Sequence, residues 1–218
     1  MSKIHLLFSA TPRSGNTFLS RCISTAIELN PQPVNMKVSS HLHSPAILAF
    51  DQTDEVKIYT LFRNPEDTVI SSTMHKLFFQ KGPDYVFHGD MSPVYYNINK
   101  SVNEYMEFLE FQNKYNKASV IMFDKLKSDP NSVIKKIFND CNATYLNEIS
   151  SSNIKKGIQN EDKTLYSSGT GDFAKSAYHT PHDIEKSPIY NRLKKELPRI
   201  IIYQNLKSLY DEMVKKYE

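Results

Sequence analysis

An apolar run from Ile4 to Ala10 leads through Thr11-Pro12-Arg13-Ser14-Gly15-Asn16-Thr17 into a helix-like run from Phe18 to Leu29. A strand that feeds a helix through a short loop of hydroxyl and glycine residues admits few folds, because it is the opening half of a βα unit. The N–H groups of a first helical turn have no partner within the helix, and the helix dipole favours an anion in front of them. Arg13 adds a permanent charge on a planar donor fork, and Ser14 and Thr17 add hydroxyl donors. The segment therefore reads as a phosphate cradle made of Arg13, Ser14, Gly15, Asn16 and Thr17, with Phe18 at its end. It is not the Walker form, which needs a second glycine and a Lys-Ser/Thr pair.

The alternation continues downstream. Strand-like segments recur at Val34–Val38, Val56–Phe62 and Ser119–Phe123, with helix-like segments between and after them. Asn64 is a suitable N-cap for a helix over Pro65–Gln80, with Pro65 at its first position and Glu66 and Asp67 in its first turn. Ser44-Pro45 opens a shorter helix by the same logic. Val102–Tyr115 carries apolar and aromatic residues at helical spacing, Asp129 precedes a helix through Ile137, and Ile201–Tyr217 is amphipathic. Strands alternating with helices predict an α/β three-layer sandwich around a central, mostly parallel sheet, with a P-loop-like phosphate loop beyond the carboxyl end of the first strand. The polar stretch from Ser150 to Lys186 lacks periodicity and reads as a long loop.

The bulk numbers fit this picture. At 218 residues the chain is expected to form one domain, residues 1–218, and 39% apolar residues are enough for an ordered core. A net charge of +3 is too small to argue for nucleic acid as a partner and suits a local basic pocket instead. Cys22 and Cys141 match no metal spacing and read as small core residues of a reducing compartment. The first apolar run is too brief for a signal peptide, and no stretch approaches the ~20 apolar residues of a membrane span, so the expectation is a cytoplasmic protein. His41-x-His43 and His179-x-x-His182 lack further ligands, so no metal site is expected.

A second anion site is suggested by Arg63-Asn64-Pro65-Glu66-Asp67-Thr68-Val69-Ile70-Ser71, which again follows a strand and opens a helix. Alone, Arg63 could be an ordinary partner of Glu66 or Asp67. Beside the first loop, it suggests a ligand with two separated phosphates. Here the chain resembles the sulfotransferases that use 3′-phosphoadenosine 5′-phosphosulfate (PAPS). Thr11 to Phe18 resembles their 5′-phosphosulfate loop, and Arg63 to Ser71 their 3′-phosphate motif. Ser40-His41-Leu42 resembles the segment that carries the catalytic histidine of cytosolic members. Phe123 to Pro130 resembles the segment after the second motif, and Gly169-Thr170-Gly171-Asp172-Phe173 the Gly-x-x-Gly-Asp-Trp loop.

This resemblance implies in-line transfer of a sulfuryl group from PAPS to a hydroxyl or amine acceptor, with adenosine 3′,5′-bisphosphate (PAP) as the product and no metal required. It gives Arg13 to the transferring group and His41 to the role of general base, with His43 as the nearby alternative. It gives Ser14, Gly15, Asn16, Thr17, Phe18, Arg63, Ser71, Gly169 and Gly171 to the cofactor. The chain departs from the family in several places. Ser39 stands where a lysine precedes the histidine, Phe18 replaces a tryptophan that stacks on adenine, and Ser167 and Ser168 replace a basic pair, with Lys163 or Lys175 as substitutes. A small molecule, glycan, lipid or peptide remains open as acceptor. An aromatic stretch from Phe78 through Tyr85 and Phe87 to Tyr95 and Tyr96 is either core or acceptor pocket. Two further readings are a P-loop-type nucleotide or metabolite kinase and a PAP-binding module without catalysis.

Overall fold

A computed structural model describes residues 3–81, 90–150 and 188–217. The chain divides into two compact units, one formed by Met1–Arg63, Glu110–Asp162 and Tyr217, the other by Asn64–Leu109, Lys163–Lys216 and Glu218.

The first unit is built on four parallel strands: β1 (Ile4–Ser9), β2 (Met36–Leu42), β3 (Val56–Phe62) and β4 (Ser119–Met122), in the order β2-β1-β3-β4. Between β1 and β2 runs α1 (Asn16–Leu29); α2 (Pro65–Lys81) and α3 (Ser92–Tyr115), mostly of the other unit, come before β4, and α4 (Phe123–Ser128) and α5 (Pro130–Asp140) follow it. Leu6 and Phe8 of the first strand, Ala10 just beyond it, and Tyr59 and Leu61 of the third strand project to one face at a spacing of two. There they meet Leu19, Cys22, Ile23 and Ala26 of α1 and Ile134, Ile137 and Phe138 of α5, at helical spacing. Burying each of the larger side chains stabilises the fold by ~1.5–3 kcal/mol. Five consecutive β3 residues, Ile58 to Phe62, are buried, so both faces of the central strand are covered, as a parallel sheet requires. The α/β architecture with a central parallel sheet is thus as expected.

Strand order decides where a ligand can sit. From β1 the chain moves outward to β2 and then crosses back to β3 on the other side of β1. Loops after β1 and β3 therefore diverge, and the crevice at such a switch point is where open parallel sheets bind ligands.

The second unit is helical among its described residues: α2 (Pro65–Lys81), the first three-quarters of α3 (Ser92–Tyr115), α6 (Pro188–Glu196) and α7 (Ile201–Tyr217). Asn64 caps α2 as expected, its Oδ1 accepting from Glu66 N at 2.9 Å. On α7, Tyr203, Leu206, Tyr210 and Met213 are buried, and Tyr210 meets Tyr105 of α3 with ring centroids 6.4 Å apart. Lys76 donates to Ser101 Oγ at 3.0 Å and pairs with Glu104. Burial lowers the Lys76 pKa, and Glu104 partly restores it.

Several boundaries differ from the sequence reading. The second strand runs Met36–Leu42 rather than Val34–Val38, so His41 lies within a strand. Its pairing with β1 slips between Leu6 and Leu7, which leaves Ser39 as the extra residue, its Oγ 2.8 Å from His5 Nδ1. The helix expected from Val102 starts at Ser92, where Asp90 Oδ1 accepts from Ser92 N. Pro188–Glu196 is a helix that periodicity did not single out, and Ser44-Pro45 opens a 3-10 turn, Pro45–Ala49. Cys22 and Cys141 are both free and buried.

Candidate active site

The loop after β1 turns on itself through Ser14 N, which donates to Thr11 O at 3.2 Å, while the Thr11 and Ser14 hydroxyls hydrogen-bond each other. Two residues hold left-handed backbone, Arg13 (φ 70) and Gly15 (φ 96). For arginine this conformation is costly, and strain of this kind gathers at ligand-holding loops. Gly15 is the N-cap of α1 and has no side chain to satisfy the first turn; that turn also contains no acidic residue. Among the described residues, the amides at this helix start thus have no side-chain cap and no acidic residue in their own turn. The start of α2 contrasts with it, since Asn64 caps the helix and Glu66 and Asp67 occupy the first turn. The resemblance between the two motifs is thus one of sequence position: at the second, positive charge comes from the Arg63 side chain and not from the helix end.

Asn16, 3% exposed, fixes the start of α1 to the sheet. Its Nδ2 donates to Phe8 O at 3.3 Å and to Leu42 O at 3.1 Å, linking both strands that precede the site. Its Oδ1 is buried with no partner among the described residues. The Asn16 side chain is thus engaged with the sheet, and what it offers an anion is its backbone N–H.

Arg63, at the end of β3, reaches across to this loop: its Nη1 donates to Arg13 O at 3.4 Å. Its guanidinium lies over the Phe123 ring, 4.9 Å from the centroid. Phe18 meets the same ring edge-on at 6.5 Å. The expected residues Arg13, Ser14, Gly15, Asn16, Phe18 and Arg63 are thus gathered around the carboxyl ends of β1 and β3, inside one unit. Phe123 belongs with them and was read from sequence only as part of a longer segment. An aromatic directly after a parallel strand was the available signal, since strand ends are where such sheets bind ligands.

His41 pairs with Phe8 in the sheet register; its side chain, like that of Thr17, lies outside the described residues. Two residues on, His43 is level with Ala10, and its Nδ1 donates to Ala10 O at 2.7 Å. A ring nitrogen facing a carbonyl carries the proton, so in the neutral ring the lone pair is on Nε2. Ser71 lies in the second unit, about two turns into α2 and partly buried. Gly169 and Gly171, with Lys163, Ser167, Ser168 and Lys175, lie outside the described residues, as do His179 and His182. Of the aromatic stretch, Tyr95 and Tyr96 are exposed at the start of α3, while Phe78, Phe79, Tyr85 and Phe87 lie outside the described side chains. No helix among the described residues is long and apolar enough to cross a membrane, and no group of three or more metal-ligating side chains occurs among them.

The donor set suits a phosphate or sulfate: the Arg63 guanidinium beside the loop, the buried hydroxyls of Thr11 and Ser14, and helix amides without a side-chain cap, with no acidic side chain in the loop.

Comparison with known proteins bears on the family. No curated protein matches the sequence. Among solved structures, the chain is similar to mouse sulfotransferase SULT7A1 complexed with PAP, at 14% identity over 91% of this chain and 88% of that one, TM-score 0.40. It is also similar to a sulfotransferase from Alicyclobacillus acidocaldarius, at 12% identity over 85% of this chain and 100% of that one, TM-score 0.38. The sulfotransferase domain model matches residues 24–196, starting just beyond the phosphate loop and taking in Arg63, Phe123 and residues of both units. With the greater part of its length matched, the chain belongs to the sulfotransferase domain family.

Proposed function

We propose that this protein is a PAPS-dependent sulfotransferase whose residues 1–218 act as one domain, since the family match runs through both compact units. The observation that supports the reading is Arg63, the residue that opens the second anion motif, reaching Arg13 O in the first loop. When bound, PAPS supplies a sulfuryl group to be displaced in line, with negative charge growing on the departing phosphate. Arg13, the Ser14 and Thr17 hydroxyls and the amides from Gly15 onward would hold that phosphate and stabilise its charge. Arg63 and Ser71 would take the 3′-phosphate, with Gly169 and Gly171 completing the nucleotide side and Phe18 offering an aromatic surface. His41 would remove the proton of a hydroxyl or amine acceptor, with His43 next in line. No metal is needed for these roles. Two free, buried thiols suit a reducing, cytoplasmic setting.

A calorimetric titration with PAP, beside ATP plus magnesium, tests the reading. Binding of PAP that weakens in Arg13→Ala and Arg63→Ala supports it, and labelled PAPS then identifies the acceptor among phenols, sugars, lipids and peptides. Magnesium-dependent ATP binding without a response to PAP would restore the kinase reading. PAP binding with no transfer to any acceptor would leave a non-catalytic module.

A further inference from the structure

We infer that Arg63 and Phe123 form a brace that sets the conformation of the phosphate loop, so that Arg63 positions Arg13 and Gly15 as well as bringing charge to the ligand. The inference rests on the proposed function for its ligands and on the following contacts for its substance.

Arg63 does two things at once. Its guanidinium lies over the Phe123 ring, Cζ 4.9 Å from the centroid, while Nη1 donates to Arg13 O at 3.4 Å. A flat guanidinium can stack and donate together; a lysine ammonium cannot. The other contacts of Phe123 complete the arrangement. Its ring occupies the space that a Cβ on Gly15 would need, and Phe18, at the start of α1, meets it edge-on. One aromatic ring thus touches the last loop residue, the first helical turn and the arginine of the neighbouring strand end.

The part of the loop being held is the part that needs holding. Arg13 and Gly15 both adopt left-handed backbone, on either side of Ser14. Ser14 N–H turns back to Thr11 O at 3.2 Å, so the path of this short turn decides where the amides from Gly15 onward point. Glycine adopts left-handed backbone without cost, but arginine does not. The Arg13 carbonyl is fixed by the bond from Arg63, and with it the orientation of the peptide that carries Ser14 N–H. If the Arg63 bond is lost, that peptide has one fewer reason to keep its orientation, whatever ligand is present.

This separates two roles for Arg63. As a ligand of the 3′-phosphate alone, it matters only to nucleotides that possess one. As part of a brace, it also matters to a nucleotide with only a 5′-phosphate. The test compares wild type with Arg63→Ala, Arg63→Lys, Phe123→Ala and Phe123→Tyr, each titrated with PAP and with AMP by saturation-transfer NMR, which reads millimolar affinities. The brace predicts that Arg63→Ala weakens AMP as well as PAP, AMP by about threefold to tenfold. Phe123→Ala should weaken AMP to a similar degree without removing any charge, Phe123→Tyr should restore it, and Arg63→Lys should resemble the alanine variant toward AMP. On AMP, the double variant Arg63→Ala/Phe123→Ala should lose little more than either single change. Wild-type AMP affinity in Arg63→Ala, with the loss confined to PAP, would overturn the brace while leaving the functional reading intact. If wild type binds neither nucleotide, the functional reading fails, and amide exchange at Ser14, Gly15 and Asn16 decides the brace by itself. Faster exchange there in Arg63→Ala and Phe123→Ala, and not in Phe123→Tyr, supports it; unchanged exchange rejects it.

Discussion

Gly15 and Phe123 compete for one volume: a Cβ placed on Gly15 would fall 2.6 Å from Phe123 Cδ2 and 3.3 Å from Leu61 Cδ2. No alanine fits there without displacing the ring, and the backbone at φ 96 disfavours any side chain.

Gly15→Ala is therefore expected to cost about 2–4 kcal/mol, combining left-handed strain with overpacking. It should also weaken PAP more than a neutral surface change does. Thermal melts with a PAP titration measure both. Adding Phe123→Leu should return part of the stability, because it relieves the clash but not the strain. Gly15→Ala with wild-type stability would show that the ring is not held where it lies.

The two histidines can be separated by what each variant loses. His41→Ala is expected to lower turnover by about a hundredfold or more with PAP affinity unchanged, as loss of a general base does. His43→Ala removes the bond to Ala10 O at 2.7 Å, and should weaken PAP severalfold with a smaller effect on turnover. His41 pairs with Phe8 inside the sheet, whereas the ring of His43 bonds Ala10 at the start of the loop. If turnover falls a hundredfold in His43→Ala and not in His41→Ala, the base is His43. Steady-state kinetics with separate kcat and KM, once an acceptor is known, distinguish the patterns.

Asn16 joins the first helix to two strands by a single amide. Asn16→Ala removes both bonds and leaves Phe8 O and Leu42 O without that donor, for an expected loss of about 1–3 kcal/mol. Asn16→Asp should be at least as harmful, since a carboxylate cannot donate to either carbonyl. Denaturant midpoints in the three proteins provide the check.

Alkaline stability should fall with pH. Burial pushes the Cys22 thiol up to about 12 and the Cys141 thiol up to about 11, from 9.0 in the unfolded chain. Below pH 9 both states are protonated and the contribution is complete. Between about pH 9 and pH 11 the unfolded chain releases protons that the native state retains, so stability is lost by ~1.4 kcal/mol per pH unit for each such thiol. Lys76 acts with the opposite sign, because burial makes its native form release its proton first. Denaturation curves at intervals from pH 8 to pH 11 should show a falling trend that is shallower in Cys22→Ala. An equal slope in that variant would refute the assignment.

Sequence alone determined what depends on neighbours along the chain. Periodicity of two and of three to four marked the strands and helices from Ile4 to Leu29, the third strand Val56–Phe62 and the last helix Ile201–Tyr217, because backbone geometry repeats locally. Loop chemistry at Thr11–Phe18 and Arg63 pointed to an anion for the same reason, since residue type and position before a helix suffice. Even there the reading had a limit: Asn16 looked like one more ligand, while its amide side chain is spent on the carbonyls of Phe8 and Leu42. Tertiary structure decided the rest. The sequence pattern puts Arg63 at a strand end one sheet position from the first loop, but only the assembled sheet lets Arg63 reach Arg13 O across fifty residues. The extent of β2 was misread because its pairing with β1 slips at Ser39, an event set by the partner strand and not by its own side chains. Phe123 stayed unremarkable until its ring lay between Gly15 and Arg63. Contacts between residues far apart in sequence leave no period to read, so they become visible only when the sheet has been assembled.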